Sequence, residues 1–184
     1  MIPGPSELAP ALIQFWFGEV GKDRWFAKDA ALDAEIKRRF ADAREAVLAA
    51  EAEGWRDSPE HLLGAILLLD QCSRNIHRGS ARAFEADKLA LDLAKLSLAR
   101  GWTQAAPEDW QQFLLMPLMH SEDAKDQERS VAEFRRLGQQ EALDFAVMHR
   151  DQIDRFGRFP GRNKALGRVS TKHERDIIDR GEIF

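Results

Sequence analysis

The stretch SPEHLLGAILLLDQCSRN, residues 58–75, decides how the rest of the chain is read. Ser58 can accept a hydrogen bond from an unpaired first-turn amide, Pro59 has its φ already set for a helix, and Glu60 suits the positive end of the helix dipole. A helix therefore begins here. Leu62, Leu63, Ile66 and Leu67 fall on one arc at about 100° per residue, which marks the buried side. Asp70 lies in the middle of that arc, and Arg74 follows one turn later. Breaking a buried ion pair costs ~3–5 kcal/mol, so a helix that turns an acid and a base toward its own core has to supply them with partners.

The same punctuation recurs on both sides of this stretch. Ser6 is placed to cap a first short helix ending near Gly18, with Leu8, Leu12, Phe15 and Trp16 on one side. A second helix is expected over residues 29–53, on the ladder Leu32, Ile36, Phe40, Ala43 and Val47, with Gly54 as its stop. A fourth should begin after Gly79 and Ser80 and end at Arg100 and Gly101. Pro107, Glu108 and Asp109 open a fifth, and Ser121, Glu122 and Asp123 a sixth. A seventh covers residues 141–156, and Thr171 with Glu174 forms a capping box for a short last helix.

Composition agrees with this reading. The 184 residues hold 46 Ala and Leu but only 16 Ile, Val and Thr, which excludes an all-β chain. With no long linker, low-complexity segment or visible repeat, the expectation is one all-α domain, residues 1–184, of seven to eight helices. The net charge of −4 speaks against nucleic acid as a partner. Cys72 is the only cysteine, so an internal disulfide or a cysteine zinc site is ruled out. The N-terminus has no basic residue before Lys22, and the longest strongly apolar run, residues 62–69, is far short of the ~20 needed for a membrane span. The chain therefore reads as cytoplasmic, with no membrane partner.

Polar residues recur where apolar ones belong. Asp87 sits within the stripe Phe84, Leu91, Ala94 and Leu98; Gln127 and Asp123 extend the Val131 and Phe134 stripe backward; His149 falls among Phe145, Ile153 and Phe156, with Arg150 at the border. Pro117 removes the amide that would reach the Phe113 carbonyl, so a kink is expected there, and His120 continues the Phe113 and Met116 stripe. The segment RFGRFPGRNKALGR, residues 155–168, has five cations (Arg155, Arg158, Arg162, Lys164 and Arg168) and no acid. Guanidinium forks of this kind suit carboxylate or phosphate.

Two readings follow. Asp70, Asp87, Arg74 and Arg78 can form a network that fixes helix register, or the inward polar groups can converge on a ligand. The aromatic group Phe15, Trp16, Phe17, Trp25 and Phe26 divides similarly between core packing and a protein-binding anchor. No nucleotide-binding glycine motif, nucleophile elbow or H-E-x-x-H pattern occurs. His120, Glu122, Asp123, His149 and Asp151 mix suitable metal donors without a ligand spacing, so no metal ligand and no cofactor is assigned.

Several stretches together resemble the bacterial domain of unknown function family 924. They are FWFGE at 15–19, RWF at 24–26, LLLDQCSRNIHRGSARAF at 67–84, FLLMPLMHSED at 113–123, DQERSV at 126–131, HRDQIDRFGRFPGRN at 149–163 and LGRVST at 166–171. The resemblance implies an all-α fold similar to tetratricopeptide-like helical arrays, and no particular reaction. Its motifs fall on Asp70, Gln71, Arg74, Asn75, Arg78, Asp87, His120, Ser121, Glu122, Asp123, Gln127, His149, Arg155, Arg158, Arg162 and Asn163. Gly161 stands where such a motif commonly has His, so a third His is missing from this chain's motif.

The leading expectation is a site for a small anionic ligand, on which the protein acts if there is turnover. His120 and His149 would move protons, Asp70 and Asp123 would orient arginines, and Arg74, Arg158 and Arg162 would hold the anion. Asn75, Arg78, Gln127, Arg155 and Asn163 complete the set. The alternative is a helical array that binds a peptide or protein in a concave groove, with the polar residues structural.

Overall fold

The computed structural model describes residues 3–183, and every regular element among them is helical. The chain falls into two compact units. The first holds the residues up to Arg78 together with Arg82–Pro117, and the second holds Gly79–Ala81 and the residues from Leu118 onward.

In the first unit, α1 (Pro5–Ile13) continues into a π-helical stretch, Gln14–Val20. Its N-cap is Gly4 rather than Ser6, because Pro5 at the first helical position needs no amide partner. Helix α2 (Ala30–Ala49) is capped by the Asp29 carboxylate, which accepts from the amides of Ala31 and Leu32. It ends earlier than the expected Glu53. Past the last ladder residue, Glu51, Ala52 and Gly54 adopt positive φ, and the Ala52 amide turns back to the Val47 carbonyl at 2.8 Å.

Residues 58–75 lie in one helical run: α3 (Pro59–Ile66), a π-helical segment Leu67–Cys72, and α4 (Ser73–Ile76), with Ser58 accepting from the His61 amide. A 3-10 turn at Ala81–Ala83 precedes α5 (Asp87–Ala99), so the fourth predicted helix starts later than Ser80 and Asp87 is its first residue. The short α6 (Trp102–Ala105), between Gly101 and Pro107, was not expected. Helix α7 (Glu108–Met119) runs two residues beyond Pro117 and stops.

Helix α1 packs on α3, α2 packs on the π-helical segment and α4, and α5 packs on α3. A Cβ on Gly64 would stand 2.9 Å from the Ala9 side chain and 3.0 Å from Trp55, so the missing side chain sets how closely α1 approaches. Phe15, Trp16 and Trp25 are buried in this core, with the Trp25 indole N–H donating to the Trp16 carbonyl at 2.9 Å. The aromatic group is therefore mainly packing, and only Phe26, at 59%, is strongly exposed.

In the second unit, α8 (Ala124–Leu137) and α9 (Gln140–Phe156) pack together across a turn made by left-handed Gly138. After a 3-10 turn at Pro160–Arg162, α10 (Lys172–Asp179) closes with the capping box read from Thr171 and Glu174. Among the described residues no helix is long and apolar enough to cross a membrane.

Candidate functional site

The π-helical segment carries Asp70 fully out of water. A π-helical turn holds an extra residue, which re-aims side chains that regular spacing would place elsewhere. Arg74 donates to Asp70 Oδ1 at 3.0 Å and to the Asp70 carbonyl at 2.8 Å, and its fork spans both oxygens of Asp87 at 3.0 and 3.1 Å. The Gln71 amide donates to Asp70 Oδ2 at 2.6 Å. Burial opposes the charge on Arg74, and the carboxylates of Asp70 and Asp87 outweigh it, raising the guanidinium above its ordinary value. Asn75 and Arg78 both converge on Asp33, at 2.8 Å from the amide and 2.6 and 2.8 Å from the guanidinium. Both arginines of this run, half-buried Arg74 and exposed Arg78, are thus held by carboxylates of their own unit.

One buried cation was missed. Arg44 is completely buried on α2 and donates to Ser73 Oγ at 3.0 Å, Glu45 at 2.9 Å and Glu85 at 2.6 Å. The signal was present, since Arg44 follows Phe40 by four residues and so lies on the same arc as the apolar ladder.

In the second unit the backbone around His120 is clamped. The last carbonyls of a helix lack amide partners, and here side chains supply them. Gln127 Nε2 donates to the carbonyls of Met119 and Ser121 at 2.7 and 2.6 Å, and Arg162 Nη2 donates to the carbonyl of His120 at 2.8 Å. The His120 ring lies 6.1 Å from that of His149. His149 is buried, with Nδ1 at 2.8 Å from the Phe145 carbonyl. A carbonyl only accepts, so Nδ1 carries the proton and the neutral ring has its lone pair on Nε2. The edge of Phe159 meets this ring at 5.5 Å, and the Arg162 guanidinium lies 4.6 Å over the face of Phe159.

The arginine-rich segment is tied down by two acids. Arg158 forks onto Glu174 at 2.7 and 2.8 Å, and Arg168 onto Glu122 at 2.8 Å through both nitrogens. Glu122 also accepts from the Phe159 amide at 2.9 Å. Burial raises its pKa, but Arg168 and that amide outweigh the effect and hold it below the ordinary value. Asn163 donates to Ser170 Oγ at 3.0 Å. Arg155 is exposed, lies over the Phe156 ring, and lines an open hollow of about 310 Å³ with Met148, Gln152 and Glu182.

Asp123 does not continue the buried stripe of α8. It is exposed and caps the helix, accepting from the Lys125 and Asp126 amides, because satisfying first-turn donors requires a non-helical residue at the surface end. Gln127, one turn on, is fully buried as the periodicity implied.

Glu174 carries a pH prediction. The Arg158 fork, against a smaller opposing effect of burial and aided by the Thr171 amide, pulls its pKa down to about 2. A carboxylate whose folded pKa is lowered contributes stability above its unfolded pKa of about 4.3 and loses it as pH falls toward the folded value. Wild-type stability should therefore drop between about pH 5 and pH 2. Glu174→Gln should be less stable at neutral pH and should show a shallower acid loss, measured by urea unfolding across pH. A parallel loss in both proteins would show that this pair does not carry the acid sensitivity.

The fold and these residues define an all-helical protein that buries ionic groups at helix ends and in π-helical turns. The chain belongs to the family described as bacterial protein of unknown function (DUF924), whose profile matches residues 12–182. It is similar to a solved structure of a protein of unknown function from Agrobacterium tumefaciens, with 40% identity, a TM-score of 0.90, and coverage of 96% of this chain and 99% of that one. No curated relative matches.

Proposed function

We propose that the protein binds a small anionic ligand beside the His120–His149 pair of the second unit, and that this pair moves a proton on it. The observation that carries the reading is the pair itself: two imidazoles 6.1 Å apart, one of them buried with its tautomer fixed by a backbone carbonyl. A fixed tautomer lets His149 accept a proton at Nε2, and a half-buried partner ring can supply one. Arg162, held by the His120 carbonyl and the Phe159 face, places a cation next to the pair. Gln127 Oε1 and Ser130 Oγ, one turn apart on α8, are buried without a hydrogen-bond partner among the described residues, and such atoms favour a polar guest.

In this reading the other expected ligand residues support the scaffold. Asp70, Arg74, Asn75 and Arg78 fix the register of the first unit, Asp123 and Gln127 shape the His120 turn, and Arg158 and Asn163 hold the loop. Arg155 remains a secondary contact for charge.

The test is histidine-detected nitrogen NMR of the full chain titrated with inorganic phosphate, sulfate and citrate. At least one anion should shift both His120 and His149 saturably. Arg162→Gln should weaken that binding by ~10-fold or more, and Arg162→Lys, which keeps the charge, by less. If no anion moves either ring in the wild-type protein, the reading fails.

A further inference from the structure

A second group of chemistry-bearing side chains lies wholly in the first unit and shares no residue with the histidine pair. Glu45 comes from α2, His77 ends the helical run after α4, and Glu85 precedes α5. One ligand atom from each, two carboxylate oxygens and an imidazole nitrogen, lies within 4.8 Å of the others. Both carboxylates direct Oε1 at the same cations. Arg82 donates to Glu45 Oε1 at 2.7 Å and to Glu85 Oε1 at 3.3 Å, so its guanidinium straddles the two acids, while His77 Nε2 stands 3.4 Å from the same Glu45 oxygen.

We propose that Glu45, His77 and Glu85 form a binding site for a borderline divalent cation such as Zn²⁺, which takes the place that the Arg82 guanidinium fills between the carboxylates. One imidazole with two carboxylates is a donor set for zinc, cobalt or nickel rather than for calcium or magnesium, which seek oxygen alone. Three protein ligands leave a fourth position to solvent. The carboxylates are aimed from the buried side by Arg44, whose Nη1 contacts Glu45 at 2.9 Å and Glu85 at 2.6 Å, as outer partners aim the ligands of metal sites.

The two arginines differ in how readily they leave. The Arg44 side chain is fully buried and stays, whereas the Arg82 side chain is 51% exposed and can turn into water. An exposed ion pair is a weak competitor for the carboxylates. With Arg44 retained and His77 neutral, two carboxylates and a divalent ion leave one net positive charge, which an open fourth position can share with water.

The experiment is titration of the full chain with Co²⁺, read by its visible absorption, and with Zn²⁺, read by calorimetry. One equivalent should bind with a shift of the His77 ring nitrogens. His77→Gln should weaken binding by ~10-fold or more, and Arg82→Gln should tighten it, because the competing cation is gone. Both changes fall at partly solvated side chains, and circular dichroism and melting check that the fold persists. Absence of saturable binding, binding that His77→Gln leaves unchanged, or weaker binding in Arg82→Gln would each overturn the proposal.

Discussion

Asp70→Asn is expected to destabilise the protein by about 3 kcal/mol, seen as a lower urea midpoint with little change in slope. The reason is donor and acceptor arithmetic in a place without water. Asp70 is fully buried, and its two oxygens accept from different donors, Arg74 at 3.0 Å and Gln71 at 2.6 Å. Asparagine has one acceptor and one donor at the same positions. Whichever way its amide turns, an NH₂ group faces another N–H, and Arg74 retains only Asp87 as a counter-charge. At this chain length the melting temperature should fall by roughly 6–12 °C. A change below about 1 kcal/mol would mean that water reaches Asp70, and the structural role assigned to it would be lost.

Arg44→Met should cost a similar amount, about 3 kcal/mol, for a different reason. Methionine fills much of the stem's space, so the loss is mostly of the charged head. Ser73 Oγ, Glu45 and Glu85 lose their common donor. The two glutamates are partly exposed and recover hydration, which limits the penalty. Arg44→Lys keeps the charge but cannot reach several acceptors with one planar fork, so it should fall between wild type and Arg44→Met. Equal stability of all three proteins in thermal and urea unfolding would rule out a structural role for this buried network.

Much of the fold was legible along the chain. Asp29 was placed at the start of α2, Ser58 before α3, and Thr171 with Glu174 before α10, because a cap is a contact among residues two or three apart and its residue types are few. The helix ends that drifted, at Glu53 and near Ser80, lie where left-handed or 3-10 turns satisfy the last amides and carbonyls without a distinctive residue type. The π-helical segments also escaped notice. An extra residue in a turn leaves the apolar pattern nearly intact, and no residue type marks it.

The candidate site was legible in its members but not in its pairings. Periodicity alone identified Asp70, Gln127 and His149 as inward, and all three are buried. It could not show that Gln127 grips the carbonyls on either side of His120, or that Glu174 and Glu122 answer Arg158 and Arg168. The cluster of Glu45, His77 and Glu85 left no trace at all, because one member lies on α2 and the other two lie in turns, after α4 and before α5, with no fixed spacing.

Helical class, most helix starts and the inward direction of Asp70, Gln127 and His149 belong to the chain as a linear object, since each depends on neighbours within about four positions. Which acid meets which arginine, and which histidine stands beside which, was settled by packing. Those contacts join residues 13 to 46 positions apart, and only the energy of burying whole helix faces brings such residues together.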